Sequence, residues 1–134
     1  MKSKIIILVM LFITFFSCKN EAKEETKISE NTVQTDIQLI QFHTEHRCVT
    51  CNNIEKLSKE TIKGNEAISF VLYNVDDEKN AKVAEQFEAS GTSLYLYNSK
   101  TKATKDLTEM AFKYAKNEGD KFKTELQKEI SAFK

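Results

Sequence analysis

Four side chains able to do chemistry fall within nine positions, HTEHRCVTC: His43, His46, Cys48 and Cys51. Two cysteines three residues apart suit three kinds of chemistry, namely dithiol exchange, soft-metal ligation and a structural staple. Exchange needs one accessible sulfur with a lowered pKa and one shielded sulfur behind it. If Cys48 stands at the start of a helix, the backbone N–H groups of Val49, Thr50 and Cys51 have no intrahelical partners and favour a thiolate there. Arg47, the preceding residue, is expected to lower the Cys48 pKa further and to help bind substrate. Cys51 then lies one turn deeper on the same face, within reach of a disulfide. Ligation would draw His43 and His46 into a tetrahedral set with both sulfurs, suited to copper, zinc or an iron-sulfur cluster. A staple is the weakest motive, because a bridge across two intervening residues closes a tiny loop and removes little unfolded-chain entropy.

The elements around the pair decide among these. Ile37 to Phe42 (IQLIQF) reads as a buried strand, and from Cys48 to Ile62 the period changes to that of an amphipathic helix. That helix pairs Glu55 with Lys59 and Lys56 with Glu60, and Gly64 closes it. Ala67 to Val75 (AISFVLYNV) is the longest apolar run of the domain, and its continuity predicts a central parallel strand covered on both faces. Glu78 to Ser90 is predicted helical with Gly91 closing it, followed by a strand at Ser93–Tyr97 and a polar edge strand at Lys102–Asp106. Thr108 to Lys134 is helical with a break at Asn117-Glu118-Gly119, and the last helix starts near Asp120. The order β α β α β β α predicts an α/β fold, a four-stranded mixed sheet flanked by helices. A cysteine pair that follows an apolar strand and opens a helix in such a chain favours exchange.

The N-terminal section has a different character. Residues 1–17 join a short basic start (Lys2, Lys4) to an apolar run, Ile5–Phe16, of export-signal length, and Ser17-Cys18 resembles a bacterial lipobox in which Cys18 is acylated. Residues 18–35 are polar and charged and read as a tether, leaving residues 36–134 as one small domain. With Cys18 assigned to a lipid, the remaining two of three cysteines form a pair, in an oxidising compartment of the cell envelope. Without residues 1–17 the chain carries 18 basic and 20 acidic residues, a net charge of −2 that provides no footprint for nucleic acid.

A strand, C-x-x-C at a helix start, a βαβ unit and a terminal hairpin with helix together resemble the thioredoxin superfamily over nearly all of residues 36–133. The string FHTEHRCVTCNNIEK is also similar to a group of small bacterial thioredoxin-like proteins labelled nitrophenyl compound nitroreductase subunits, although no flavin site is recognisable. The resemblance implies that Cys48 attacks, Cys51 resolves, and Gly91-Thr92-Ser93-Leu94 faces them, with Thr92 and Ser93 contacting substrate. The implied partners are protein or small-molecule disulfides and thiols, and no organic cofactor is required. Ser93 stands where the superfamily has a cis-proline; a cis bond before serine costs about 3–4 kcal/mol, which predicts a trans bond and a differently shaped groove. Gln41 stands roughly where many members bury an acid beneath the resolving cysteine, so proton removal from Cys51 would use water or a carboxylate such as Glu45.

Overall fold

The seven residues of β1 (Ile37–His43) alternate between two cores, and this alternation organises the domain. Leu39 faces one cluster with Ile54, Leu94, Leu96, Phe122 and Leu126, whereas Ile40 and Phe42 face a second with Ala84, Phe87 and Ala89. A computed structural model describes residues 35–133. The proposed signal, Cys18 and nearly all of the tether lie outside the described residues.

After β1 come α1 (Val49–Ile62), β2 (Ile68–Asn74), a 3₁₀ turn at Glu78–Asn80, α2 (Ala81–Gln86), β3 (Ser93–Asn98), β4 (Thr104–Asp106), α3 (Thr108–Ala115) and α4 (Gly119–Ala132). The sheet order is β2-β1-β3-β4, with β1 and β2 parallel and the other pairs antiparallel. Helices α1, α3 and α4 contribute to the cluster on one face and α2 to that on the other. This is the mixed, helix-flanked arrangement expected from the element order, that of a thioredoxin-like fold. Gly64, at φ 81°, ends α1 as anticipated, in a backbone conformation that side chains with a Cβ disfavour. Among the described residues no helix is long and apolar enough to cross a membrane.

Three expectations are corrected. The run Ala67–Val75 forms not a central strand but the edge strand β2, and most of it is half-buried. Its apolar continuity is real, because Phe70 packs toward the α1 side and Val71, Tyr73 and Val75 toward the α2 side. Coverage of both faces says nothing about whether a neighbour exists in the plane of the sheet. The second helix is far shorter than Glu78–Ser90, because the chain turns left-handed at Glu88, φ 52°, before Gly91 is reached. The Lys56–Glu60 pair does not appear; Glu60 instead meets Lys123 of α4 at 2.7 Å, joining α4 to α1.

Candidate active site

Cys48 is the N-cap of α1. Its backbone is extended (φ −82°, ψ 166°) and its sulfur accepts the N–H of Cys51 at 3.3 Å, as a Ser or Asp oxygen does at other helix starts. Cys48 is exposed and Cys51 buried, and their free sulfurs lie 2.6 Å apart. The Cys48 pKa is lowered, first by the side chain of Cys51 and then by its backbone N–H; burial opposes the shift, and the backbone N–H groups of Thr50 and Cys48 add smaller contributions. The N–H groups of Thr50 and Cys51 are donors that a helix start leaves free, and the Cys51 thiol adds a side-chain donor to them.

Arg47 acts elsewhere than expected. Its guanidinium runs along the helix to Glu55, with Nη1 at 2.6 Å from Oε2, and Nη2 reaches the carbonyl of Cys51 at 3.5 Å. The causes that lower the Cys48 pKa lie within the Cys48–Cys51 turn, and Arg47 is not among them. Burial works against the charge of Glu55, but hydrogen bonds from Lys59 and Arg47 outweigh it and hold the carboxyl below the usual carboxylate range.

The loop between α2 and β3 closes the site from the far side. Thr92 Oγ1 sits 3.2 Å from Cys51 Sγ, a pair in which either atom donates, so the inner thiol is held between Cys48 and Thr92. Ser93 is buried and its hydroxyl donates to the carbonyl of Gly91 at 3.4 Å. No cis peptide bond occurs among the described residues, as the serine predicts. Beneath the pair, Gln41 is fully buried; its Nε2 donates to the carbonyl of Cys51 at 3.0 Å, while its Oε1 has no partner among the described residues. The position expected under the resolving cysteine is therefore occupied by a neutral amide.

Other candidates do not converge. His43 Nδ1 donates to the carbonyl of Thr44 at 2.8 Å, His46 is exposed, and no three His, Cys, Asp or Glu side chains gather into a metal-binding group among the described residues. Glu45 is exposed, its backbone N–H donates to Asp76 Oδ2 at 2.7 Å, and no hydrogen bond links its carboxylate to Cys51. Sequence reasoning assigned Glu55 only to Lys59 and missed its hold on Arg47, two helical turns away. It also missed Asp76, which pins the loop before Cys48 from 31 positions away.

No family model and no curated protein matches the chain. A solved structure described as that of a malarial protein superposes with a TM-score of 0.42 at 20% identity, covering 58% of this chain and 93% of its own.

Proposed function

We propose that the protein is a thiol-disulfide oxidoreductase of the thioredoxin superfamily, lipid-anchored through Cys18 in the bacterial cell envelope and acting on protein or small-molecule disulfides and thiols. The observation that carries this reading is the helix-capping thiol: an exposed Cys48 sulfur receives the Cys51 N–H while the buried Cys51 sulfur waits 2.6 Å behind it. In the reducing direction the Cys48 thiolate attacks a substrate disulfide, forming one S–S bond as another breaks, and the first substrate thiolate leaves and takes a proton from water. Cys51 then gives up its proton and attacks Cys48 Sγ. The Cys48–Cys51 disulfide forms, the second substrate thiolate leaves, and two electrons have passed to the substrate. The oxidising direction reverses these steps. Stabilising the Cys48 thiolate stabilises the reduced form, which raises the reduction potential of the pair and makes it a stronger oxidant.

The soft-metal alternative has two sulfurs, but no third His, Cys, Asp or Glu side chain gathers with them among the described residues. The dithiol reading therefore explains more of the site, including why one thiol is exposed and the other is clasped by Thr92.

The test is trapping. In the full chain, Cys51→Ser is expected to accumulate a mixed disulfide on Cys48 with a disulfide-containing peptide, and Cys48→Ser is expected to form none. The unaltered pair should titrate against glutathione as one reversible two-electron couple. Failure of Cys51→Ser to trap substrate, together with Cys48 alkylation no faster near neutral pH than that of free cysteine, would sink the proposal.

A further inference from the structure

Among the described residues, the sheet has two edges of unlike construction. β4 is three residues long and carries Lys105 and Asp106, the guarded kind of edge that resists pairing. β2 is seven residues long, ISFVLYN, with no charged residue. The backbone direction of each of its residues follows from one hydrogen bond. Val75 N–H donates to His43 O at 2.8 Å, so Val75 faces β1, and by alternation so do Tyr73, Val71 and Ser69. Ile68, Phe70, Leu72 and Asn74 then turn their N–H and C=O groups outward.

The ends of this row are partly satisfied. Ile68 N–H donates to Asn65 O at 3.4 Å, and Asn74 O accepts from Asp77 N–H at 3.3 Å and from Asn80 Nδ2 at 2.9 Å. Among the described residues, that leaves Ile68 C=O, both groups of Phe70, both groups of Leu72, and Asn74 N–H open. The pattern is self-complementary. If a second β2 lies antiparallel with Val71 opposite Val71, Phe70 exchanges two bonds with Leu72 of the second copy, and Leu72 does the same with its Phe70. The outer pair would set Ile68 against Asn74, where one possible bond joins the two occupied groups and the other joins the two open ones. The local caps thus remove only the bonds that pairing would not use, and no charged residue lies within the paired strands themselves.

We propose that the open edge of β2 binds β2 of a second copy of this chain, antiparallel and centred on Val71, to make one continuous sheet. A two-fold axis through Val71 places the carboxyl ends of the two β1 strands at opposite ends of that sheet. The two Cys48–Cys51 turns therefore stay apart, each open to substrate, and this dimer is not one in which they share a ligand.

Two measurements on the full chain test the pairing. In a Cys48→Ser, Cys51→Ser background, Val71→Cys should oxidise to a covalent dimer at least about tenfold faster than Lys113→Cys, which lies far from the edge, Cys18 being common to both. The Cα separation of a non-hydrogen-bonded antiparallel pair, about 4.5 Å, permits a disulfide. Adding Leu72→Pro, which removes an outward N–H and leaves the β1 ladder whole, should abolish the gain. In the unaltered chain, the amides of Phe70 and Leu72 should be protected from hydrogen exchange, increasingly so as protein concentration rises. Crosslinking no faster than at Lys113, or protection that is absent or independent of concentration, overturns the proposal.

Discussion

Gln41 and Phe42 are neighbours on one strand, both fully buried, and they look into opposite environments. Phe42 enters an aromatic nest, with ring centroids 5.6 Å from Tyr73, 5.5 Å from Phe87 and 5.9 Å from Tyr95. Phe87 extends the nest to Tyr95 and Tyr97, each at 5.3 Å. Its buried members are apolar, and the Tyr95 hydroxyl donates to Phe87 O. Gln41 enters the α1 side, where its Oε1 and the hydroxyl of Ser58 are buried without partners among the described residues, each costing roughly 1–3 kcal/mol against an apolar replacement. The α2 side is closed by aromatic packing, whereas the α1 side, which holds the larger apolar cluster, also buries polar side chains, among them Gln41 with its hydrogen bond to the Cys51 carbonyl. A division of labour of this kind makes stability and chemistry separable by mutation.

The largest effect tests the packing side. Phe42→Ala should destabilise the domain by about 3–5 kcal/mol, read as a lowered midpoint in chemical denaturation. Reactivity of Cys48 in the molecules that remain folded should be unchanged; a shift in its alkylation profile would show that the two sides are coupled. The next effect concerns the capping thiol. Reduced protein should alkylate at Cys48 with a half-maximal pH below the ordinary thiol value of about 8.5. The sign for stability follows from the depressed pKa. The thiolate's contribution is fully present above the unfolded-chain value and is lost as pH falls through the folded value, so Cys48→Ser should narrow the gap in stability between mildly alkaline and neutral pH.

Thr92→Val tests the other side with about 1 kcal/mol or less of stability at stake, because it replaces one hydroxyl with a methyl of similar shape. Its chemical effect should be larger than its structural one. The Cys51 sulfur loses its hydroxyl partner at 3.2 Å, and the resolving step should slow, seen as a longer-lived mixed disulfide in the unaltered Cys48 and Cys51 background. Equal losses of stability and resolution would mean that Thr92 only packs.

The element order and the place of the cysteine pair were legible because each depends on local pattern. A change of hydrophobic period marks where β1 gives way to α1, and a helix start leaves N–H groups free for whatever residue precedes them. The trans bond before Ser93 followed from the absence of proline. What the sequence hid depends on partners far along the chain or on in-plane neighbours. The apolar run at β2 reports two covered faces, and edge and central strands share that signature. The Glu88 turn gave no glycine to mark it. Arg47 adjoins Cys48 in sequence, yet its guanidinium follows the helix to Glu55, because an ion pair held at 2.6 Å on a formed helix competes better than a small thiol at the helix tip.

That last contest yields the smallest prediction. Glu55 draws Arg47 and Lys59 together, Lys59 at 2.7 Å, and Lys59 also lies over the Phe70 ring at 5.1 Å. Partly exposed pairs of this kind are worth about 0.2–1 kcal/mol, so Glu55→Gln should lower stability by no more than that near neutral pH. Because the Glu55 carboxyl is held below its usual range, the contribution exists above the unfolded carboxylate pKa and disappears as pH falls through the folded one. Unaltered protein and variant should therefore converge in acid. Removing the carboxylate also releases Arg47 one residue from Cys48. If the guanidinium then stays against the Cys51 carbonyl, the Cys48 alkylation profile will not move; a shift to lower pH would show that Glu55 normally keeps that charge away from the nucleophile.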